Sequence, residues 1–192
     1  MKRIAIQGEI GSFHDITAHH YFDGEQLQII CCSTFEEVFG HMKQDPTIIG
    51  IMAIENTIAG SLLHNYELLR ESGMTVVGEH KTHISHCICC LPGQKLEDLR
   101  EVHSHPVALT QCCKYLSKHP NLKMVEDEDT AGSAKRIAEN KLHGVAALCH
   151  ADAAELYGLE VLENHVEDNP HNYTRFLIMS DPRKADFLRA LN

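Results

Sequence analysis

The sequence lacks the features that would assign it at once to a membrane, secreted or fibrous class. No apolar run approaches the roughly 20 residues that a membrane-spanning helix needs. The N-terminus turns polar at Gln7, too early for a secretory signal peptide. There is no low-complexity segment and no repeat of fixed period. These absences predict a cytoplasmic globular protein without a membrane partner.

Basic residues are few and scattered. The 192 residues include 17 Lys and Arg against 27 Asp and Glu, which gives a formal net charge of −10 with the 15 histidines neutral. Because nucleic-acid binding needs clustered basic residues, we expect no nucleic-acid partner. An anionic ligand would have to be held by local hydrogen-bond donors against an unfavourable overall field.

Short apolar segments alternate with helical segments, and the run from Thr47 to Ile54 is typical of a fully buried strand. Hydrophobic residues make up 43% and charged residues 23%, which is ordinary globular usage. The alternation predicts an α/β fold of two Rossmann-like lobes with mostly parallel sheets. We expect lobe 1 to comprise residues 1–78 and 162–184, lobe 2 residues 79–161, and a tail or the start of a linker 185–192. The ligand cleft is expected between the lobes, at strand carboxyl ends.

Small polar residues stand at four predicted strand-to-helix turns. These turns are Gly11-Ser12, Glu55-Asn56-Thr57, Ser104-His105-Pro106 and Asp129-Thr130. Backbone amides and the helix dipole at a helix N-terminus bind anions without any lysine. Taken singly, each residue is also an ordinary N-cap. Taken together, they would let an acidic protein bind an acidic ligand.

The segment from Asp168 to Phe176 is unlike the rest of the chain, because a polar turn leads directly into a predicted strand. Thr174 and Arg175 stand at the mouth of that strand. A guanidinium can bind a carboxylate through two parallel hydrogen bonds. We therefore expect Arg175 to hold a carboxylate with Thr174 beside it as a hydrogen-bond donor. The alternative is that both residues only decorate a strand end.

This segment, Asn172-Tyr173-Thr174-Arg175-Phe176, resembles the Asn-x-Thr-Arg-Phe signature of prephenate dehydratases. Other matches occur in the family's order and extend the resemblance over about residues 4 to 179. They are Gly8 to Phe13, Ile54-Glu55-Asn56 with Gly60, Ser104-His105-Pro106 with Gln111, Asp129-Thr130-Ala131, and Tyr157-Gly158-Leu159 with Asp168. The sequence departs from the usual family pattern at Glu9, His14, Ala53 and Thr57.

The resemblance implies two α/β lobes similar to type II periplasmic binding proteins. It also implies the decarboxylative dehydration of prephenate to phenylpyruvate in phenylalanine biosynthesis, with no cofactor. Thr174 would be catalytic, and Glu55 would assist if a closed cleft raised its pKa. The expected substrate-binding residues are Ser12, Asn56, Thr57, Ser104, Gln111, Asn172, Arg175 and Phe176.

The resemblance to the family also has implications for assembly and regulation. Members of the family suggest a homodimer or higher homo-oligomer. They typically continue into an ACT regulatory domain that binds phenylalanine. Because the sequence ends at Asn192, we expect that domain to be absent and the activity to escape feedback inhibition.

Several other functions remain open or are disfavoured. Arogenate dehydratase would perform the same chemistry on the amino analogue, and a non-catalytic two-lobed binding module would use the same cleft. A metal site is disfavoured because strand alternation puts His83, Cys87 and Cys89 on one face and His86 and Cys90 on the other. Most cysteines lie in apolar runs, as reduced core residues do. A serine hydrolase fits poorly because the sequence has no Gly-x-Ser-x-Gly elbow.

Overall fold

The structure is a computed structural model that describes residues 1–184, so the predicted tail at 185–192 lies outside the described residues. Strands and helices alternate as the sequence predicts. The strands are β1 (Lys2–Gln7), β2 (Leu27–Cys32), β3 (Ile49–Asn56), β4 (Gly60–Ser61), β5 (Thr75–His83), β6 (Cys87–Cys90), β7 (Glu101–Ser104), β8 (Lys123–Glu126), β9 (Val145–Cys149), β10 (Glu160–Glu163) and β11 (Tyr173–Ser180). The α-helices are α1 (Phe13–Tyr21), α2 (Phe35–Gln44), α3 (Leu63–Ser72), α4 (Pro106–Gln111), α5 (Cys113–Ser117), α6 (Thr130–Asn140) and α7 (Ala151–Leu156).

The chain is divided into two compact units, and each is built on one sheet. Among the described residues, unit 1 comprises Met1–Glu9, Phe13–His83 and residues 172–184, and unit 2 comprises Ile10–Ser12 and Ile84–His171. The predicted α/β class with two sheets is therefore confirmed. Among residues 1–184, no helix combines the length and the apolar character that spanning a bilayer requires.

The sheet of unit 1 has the strand order β2-β1-β3-β11-β5, and the short strand β4 pairs with β3. β1 pairs in parallel with β2 and β3, whereas β11 runs antiparallel to both β3 and β5. The final strand thus lies between two strands from the first half of the chain. Its register places Thr174 opposite Asn56 and Arg175 opposite Glu55.

The two faces of this sheet are packed by different helices. Phe176 and Ile178 belong to a buried cluster with Ala18 of α1 and with Phe22, the residue that follows α1. Leu177, with Met179, belongs to the cluster formed with α2. Alternate side chains of a strand point to opposite faces, so both faces of β11 are buried along most of its length.

The sheet of unit 2 has the order β10-β6-β9-β7-β8. β7 pairs in parallel with β8 and β9, and β6 is antiparallel to β9 and β10. Each sheet therefore has a parallel part of three strands, as expected, with antiparallel strands added to it. Cys87 and Cys89 pack in one buried cluster, and Ile88 and Cys90 in the other, which confirms their predicted separation onto two faces.

The structure corrects the expected boundaries within the chain. The strand alternation applied above from His83 to Cys90 assumes one continuous strand, but the structure splits it: β5 ends at His83 in one sheet and β6 begins at Cys87 in the other. Residues 79–83 belong to unit 1 because β5 pairs with β11. Residues 162–171 belong to unit 2, where β10 pairs with β6.

The short segment Ile10–Ser12 is joined to unit 2 by local contacts. The Tyr157 hydroxyl donates to the Ile10 carbonyl at 2.5 Å. Gly11 has a φ of +89°, and a Cβ at this position would lie 3.1 Å from the Ala153 side chain. Glycine fits here because it tolerates a positive φ and allows this close approach.

Candidate active site

Asn56, the last residue of β3, connects its own turn to β11. Its Oδ1 accepts hydrogen bonds from the backbone amides of Ile58 at 3.0 Å and Ala59 at 2.9 Å. Such turns are typical of asparagine, and they fix the orientation of the side-chain amide. Nδ2 therefore points to β11, where it donates to Asn172 Oδ1 at 2.8 Å and to Thr174 Oγ1 at 3.0 Å.

The Thr174 hydroxyl is buried, with 8% of the residue exposed, and it is the acceptor in its bond with Asn56. A hydroxyl can donate one hydrogen bond and accept two. Accepting from Asn56 therefore leaves the Thr174 proton available for another acceptor. Hydrogen bonds polarise one another where the dielectric is low, so the amide also makes this hydroxyl a better donor.

Thr57 and Tyr173 join the beginning of β11 to the turn after β3. The Thr57 amide donates to the Tyr173 carbonyl at 2.9 Å, and the Tyr173 amide donates to Thr57 Oγ1 at 2.9 Å. Asn172, fully buried beside them, accepts from Asn56 as described above. The contacts of Thr57 and Asn172 thus hold Thr174 in place, and substrate binding by either remains a prediction.

Arg175 lies on the opposite face of β11 from Thr174. Directly paired residues share a face of the sheet, and Thr174 pairs with Thr82, whose hydroxyl contacts Thr17 of α1 at 2.6 Å. Arg175 pairs instead with Lys81 on β5 and Glu55 on β3. The expected arrangement, in which Thr174 and Arg175 act side by side on one ligand, is therefore wrong, because neighbouring strand residues point in opposite directions.

The guanidinium of Arg175 already contacts two carboxylates of unit 1. Its Nε lies 3.0 Å from Glu55 Oε2, and its Nη1 lies 3.0 Å from Glu79 Oε2. The Tyr66 hydroxyl completes the network by donating to Glu55 Oε1 at 3.0 Å and accepting from Arg175 Nη2 at 3.2 Å. Arg175 and Glu55 line a cavity of about 550 Å³ together with Asn56, Thr57, Gly60, Ser61, Lys81 and Tyr173.

Glu55 is a stabilised carboxylate rather than a poised acid. The Tyr66 hydroxyl, which donates to it, and then the Arg175 guanidinium hold the pKa of Glu55 below its ordinary value. The pKa is thus lowered and not raised as expected, because in this arrangement the donor and the cation beside the carboxylate outweigh its partial desolvation. Glu55 is ionised at neutral pH in this arrangement.

Phe176 is a core residue of unit 1, with only 1% of it exposed. Its ring packs edge-on against His14 with the ring centroids 5.0 Å apart. Burial lowers the pKa of His14 to about 4, so this imidazole is neutral and accepts from the Ala53 amide at 3.3 Å. The expected contact of Phe176 with substrate is not supported by this burial, and its packing instead fixes β11 two residues from Thr174.

The model of the prephenate dehydratase family matches residues 4–184. The chain belongs to the prephenate dehydratase family. It is 37% identical over 179 residues to the chloroplastic arogenate dehydratase/prephenate dehydratase 6 of Arabidopsis thaliana, covering 93% of this chain and 43% of that protein. It is 32% identical over 185 residues to the bifunctional chorismate mutase/prephenate dehydratase of Escherichia coli K12, covering 95% and 47% respectively. The chain thus spans less than half the length of these two relatives.

The fold of the prephenate dehydratase family is also seen in a solved structure. The crystal structure of the prephenate dehydratase from Staphylococcus aureus subsp. aureus Mu50 matches with a TM-score of 0.77 and 27% identity, covering 93% of this chain and 66% of that one. The resemblance predicted from the motifs is therefore confirmed at the level of family and fold.

Three of the site residues predicted from the prephenate dehydratase motifs belong to unit 2. The Ser104 hydroxyl is fully buried and donates to the Leu148 carbonyl at 2.6 Å, so it ties β7 to β9. Ser12 is buried, and the Gln111 carbonyl accepts from the Asp168 amide at 2.8 Å. The part that these residues play in substrate binding remains a prediction.

Sequence reasoning predicted Glu55 but missed the other residues that lie beside Arg175. Tyr66 lies on α3, and Glu79 and Lys81 lie on β5. No motif marks them, since their position depends on the insertion of β11 between β3 and β5. Glu79 and Lys81 are exposed at alternate positions of β5, and such alternation is a local signal that one face of this strand is solvated.

Proposed function

We propose that this chain catalyses the decarboxylative dehydration of prephenate to phenylpyruvate. Prephenate carries two carboxylates and a ring hydroxyl. The reaction breaks the bond to one carboxylate to release CO2, breaks the bond to the ring hydroxyl and takes up one proton, so that water leaves. The observation that carries the proposal is the buried Thr174 hydroxyl, which accepts from Asn56 and keeps its own proton available to a leaving oxygen.

The difficult step is the departure of the hydroxyl, since hydroxide is a poor leaving group. As CO2 leaves, its bonding electrons enter the ring and the carbon–oxygen bond breaks with its pair on oxygen. Thr174 would donate a hydrogen bond to that oxygen as negative charge develops there, which is the moment at which a fixed donor contributes most. Threonine is a very weak acid, so it polarises the oxygen or relays a proton that solvent finally supplies.

The role that we propose for Arg175 differs from the expected grip on a substrate carboxylate. Its guanidinium is already paired with Glu55 and Glu79. A substrate carboxylate would have to displace one of these groups. We therefore assign Arg175 the positioning of β11 against β3, one residue from Thr174.

Replacing Glu55 by glutamine tests whether this carboxylate supplies a proton. Loss of a general acid costs about 10²–10⁴-fold in rate. Because Glu55 is already ionised, we expect Glu55→Gln to lower kcat by less than about tenfold and to leave the acid limb of the kcat–pH profile unmoved. Glu79→Gln, which removes the other partner of Arg175, is the matched control. A loss of about 10²-fold with a displaced acid limb would restore Glu55 as the donor.

The same lowered pKa has a consequence for stability. A carboxyl group whose pKa is depressed by folding stabilises the folded state above its unfolded pKa of about 4.3, and this contribution is lost as the pH falls through the folded pKa. Any stability advantage of the parent over Glu55→Gln should therefore be present at neutral pH and disappear in acid. Melting temperatures measured across that range check it.

Parallel assays with prephenate and arogenate separate the proposed activity from its rivals. We expect phenylpyruvate, detected by its ultraviolet absorbance, to accumulate from prephenate. Phenylalanine formation from arogenate at a higher kcat/KM would favour the amino analogue as substrate. Binding of prephenate without turnover would favour a non-catalytic binding module, and it would refute the enzyme assignment.

We propose that the protein works in the cytoplasm as a homodimer. All eight cysteines are thiols in the structure, which suits a reducing compartment. The family resemblance supports a dimer, and Val76 and Val77 of the edge strand β5 are 45% and 54% exposed, as apolar residues at an interface would be. Sedimentation velocity would show the assembly, and a concentration-independent monomer would contradict it.

A further inference from the structure

Three cysteine side chains converge inside unit 2. The antiparallel pairing of β6 with β9 places Cys87 directly opposite Cys149. Cys89, two residues along β6, points to the same face. The Sγ atoms of Cys89 and Cys149 are 3.5 Å apart, and the three sulfur atoms all lie within 4.8 Å of one another.

The dimensions of this triangle suit a bound ion. A metal–thiolate bond of about 2.3 Å in a planar three-coordinate site gives sulfur–sulfur distances of roughly 4.0 Å. The Cys89–Cys149 separation is 3.5 Å and the other two are at most 4.8 Å, so all three are compatible with that value. Small side-chain rotations would therefore bring all three sulfurs into coordination without a change in the backbone.

The surroundings select the kind of ion. The cluster is packed by apolar side chains such as Ala134, Ile137 and Leu159. Structural zinc takes four ligands, whereas the described residues bring no fourth His, Cys, Asp or Glu within the same ligand distance. Thiolates are soft ligands that select ions such as Cu(I), and a d¹⁰ ion of this kind is satisfied by three sulfurs.

We propose that Cys87, Cys89 and Cys149 form a three-thiolate binding site for Cu(I). Each coordinating thiol loses its proton to solvent as the sulfur–copper bond forms, and nothing is oxidised or reduced. All three residues are at most 1% exposed, so the ion enters by a local opening of β6 and β9. Once bound, it stabilises the folded state by linkage.

The test is anaerobic titration of the full chain with Cu(I) in competition with the chelator bathocuproine disulfonate. Two exposed thiols, Cys31 and Cys113, would bind copper adventitiously, so both are first replaced by serine. We expect one copper per chain by elemental analysis, a first shell of three sulfurs by X-ray absorption, and a higher melting temperature. These readouts do not depend on dehydratase activity, so the inference can fail while the proposed function stands.

Variants of the cluster identify the ligands. We expect Cys89→Ala and Cys149→Ala each to weaken Cu(I) binding by more than about 100-fold, since even outer-shell partners of a metal contribute up to that factor. Cys90→Ala, a buried cysteine on the opposite face of β6, should retain binding. Three results would each overturn the proposal. They are complete loss of copper to the chelator, an unchanged affinity in Cys89→Ala, and a first shell of fewer than three sulfurs in the parent. The X-ray absorption result stands even if a cluster variant fails to fold.

Discussion

Thr174→Val should reduce kcat for prephenate by about 10²–10⁴-fold. Valine has nearly the shape of threonine but cannot donate a hydrogen bond to the departing oxygen. Because that bond strengthens only as the carbon–oxygen bond breaks, we expect KM to change little. Initial rates of phenylpyruvate formation over a range of prephenate concentrations measure both quantities.

Stability should change much less than turnover in this variant. Asn56 Nδ2 keeps two other acceptors, Asn172 Oδ1 at 2.8 Å and the Tyr173 carbonyl at 3.3 Å. The loss of its bond to Thr174 therefore leaves no orphaned donor, and the cost is about 1 kcal/mol. Thr174→Ser, which keeps the hydroxyl, is the matched control and should stay within about tenfold of the parent in kcat. Parent-like turnover by a folded Thr174→Val chain would remove Thr174 from the mechanism.

Local sequence signals predicted local structure well. The spacing of Thr34 and Glu37 predicts a capping box, and half of it forms, because Thr34 caps α2 by accepting from the Glu37 amide at 3.2 Å. The Glu37 carboxylate accepts instead from the amide of Ser33, one residue before the cap, at 2.7 Å. Pro106 begins α4 and Asp129 caps α6, as their positions indicate. Each of these helix starts depends on a few residues that are neighbours in the sequence, so each can be predicted from the sequence alone.

Local sequence signals do not predict the contacts within the candidate site. The motifs at 54–56 and 172–176 are predicted to form one site, but their sequences do not show which residues contact each other. Those contacts depend on the pairing of β11 with β3, as in the Asn56–Thr174 bond, whose residues are 118 positions apart in the sequence. Register decides which face each side chain takes. That register brings Thr174 to Asn56 and turns Arg175 towards Glu55, so adjacent residues of one motif take different roles.

Long-range pairing also explains the cysteine cluster. The sequence shows Cys87 and Cys89 on one face of a strand, and it shows Cys149 alone in an apolar run. Only the antiparallel register of β6 and β9 makes Cys149 the direct neighbour of Cys87. A strand pattern gives the face of each residue but not its partner across the sheet.

Asn56→Asp should reverse the hydrogen bond on which the proposed mechanism depends. The new carboxylate can still accept from the amides of Ile58 and Ala59, as Asn56 Oδ1 does. Its second oxygen, however, takes the place of the donating Nδ2 and becomes an acceptor beside Thr174 Oγ1. Thr174 would then donate its proton to that carboxylate and not to the substrate, and we expect kcat to fall by about 10²-fold or more.

The pH dependence of this variant distinguishes a reversed bond from general damage. Protonation of the new carboxyl group restores a donor to Thr174, so the kcat of Asn56→Asp relative to the parent should rise as the pH falls. Asn65→Asp is the matched control, because Asn65 Nδ2 donates at 2.7 Å to the Ala53 carbonyl of the same strand β3 and makes no bond to Thr174. We expect it to lose stability but keep kcat. If both variants lost turnover equally and with the parent's pH profile, the Asn56–Thr174 bond would be structural support for β11 and the proton would have to come from another group.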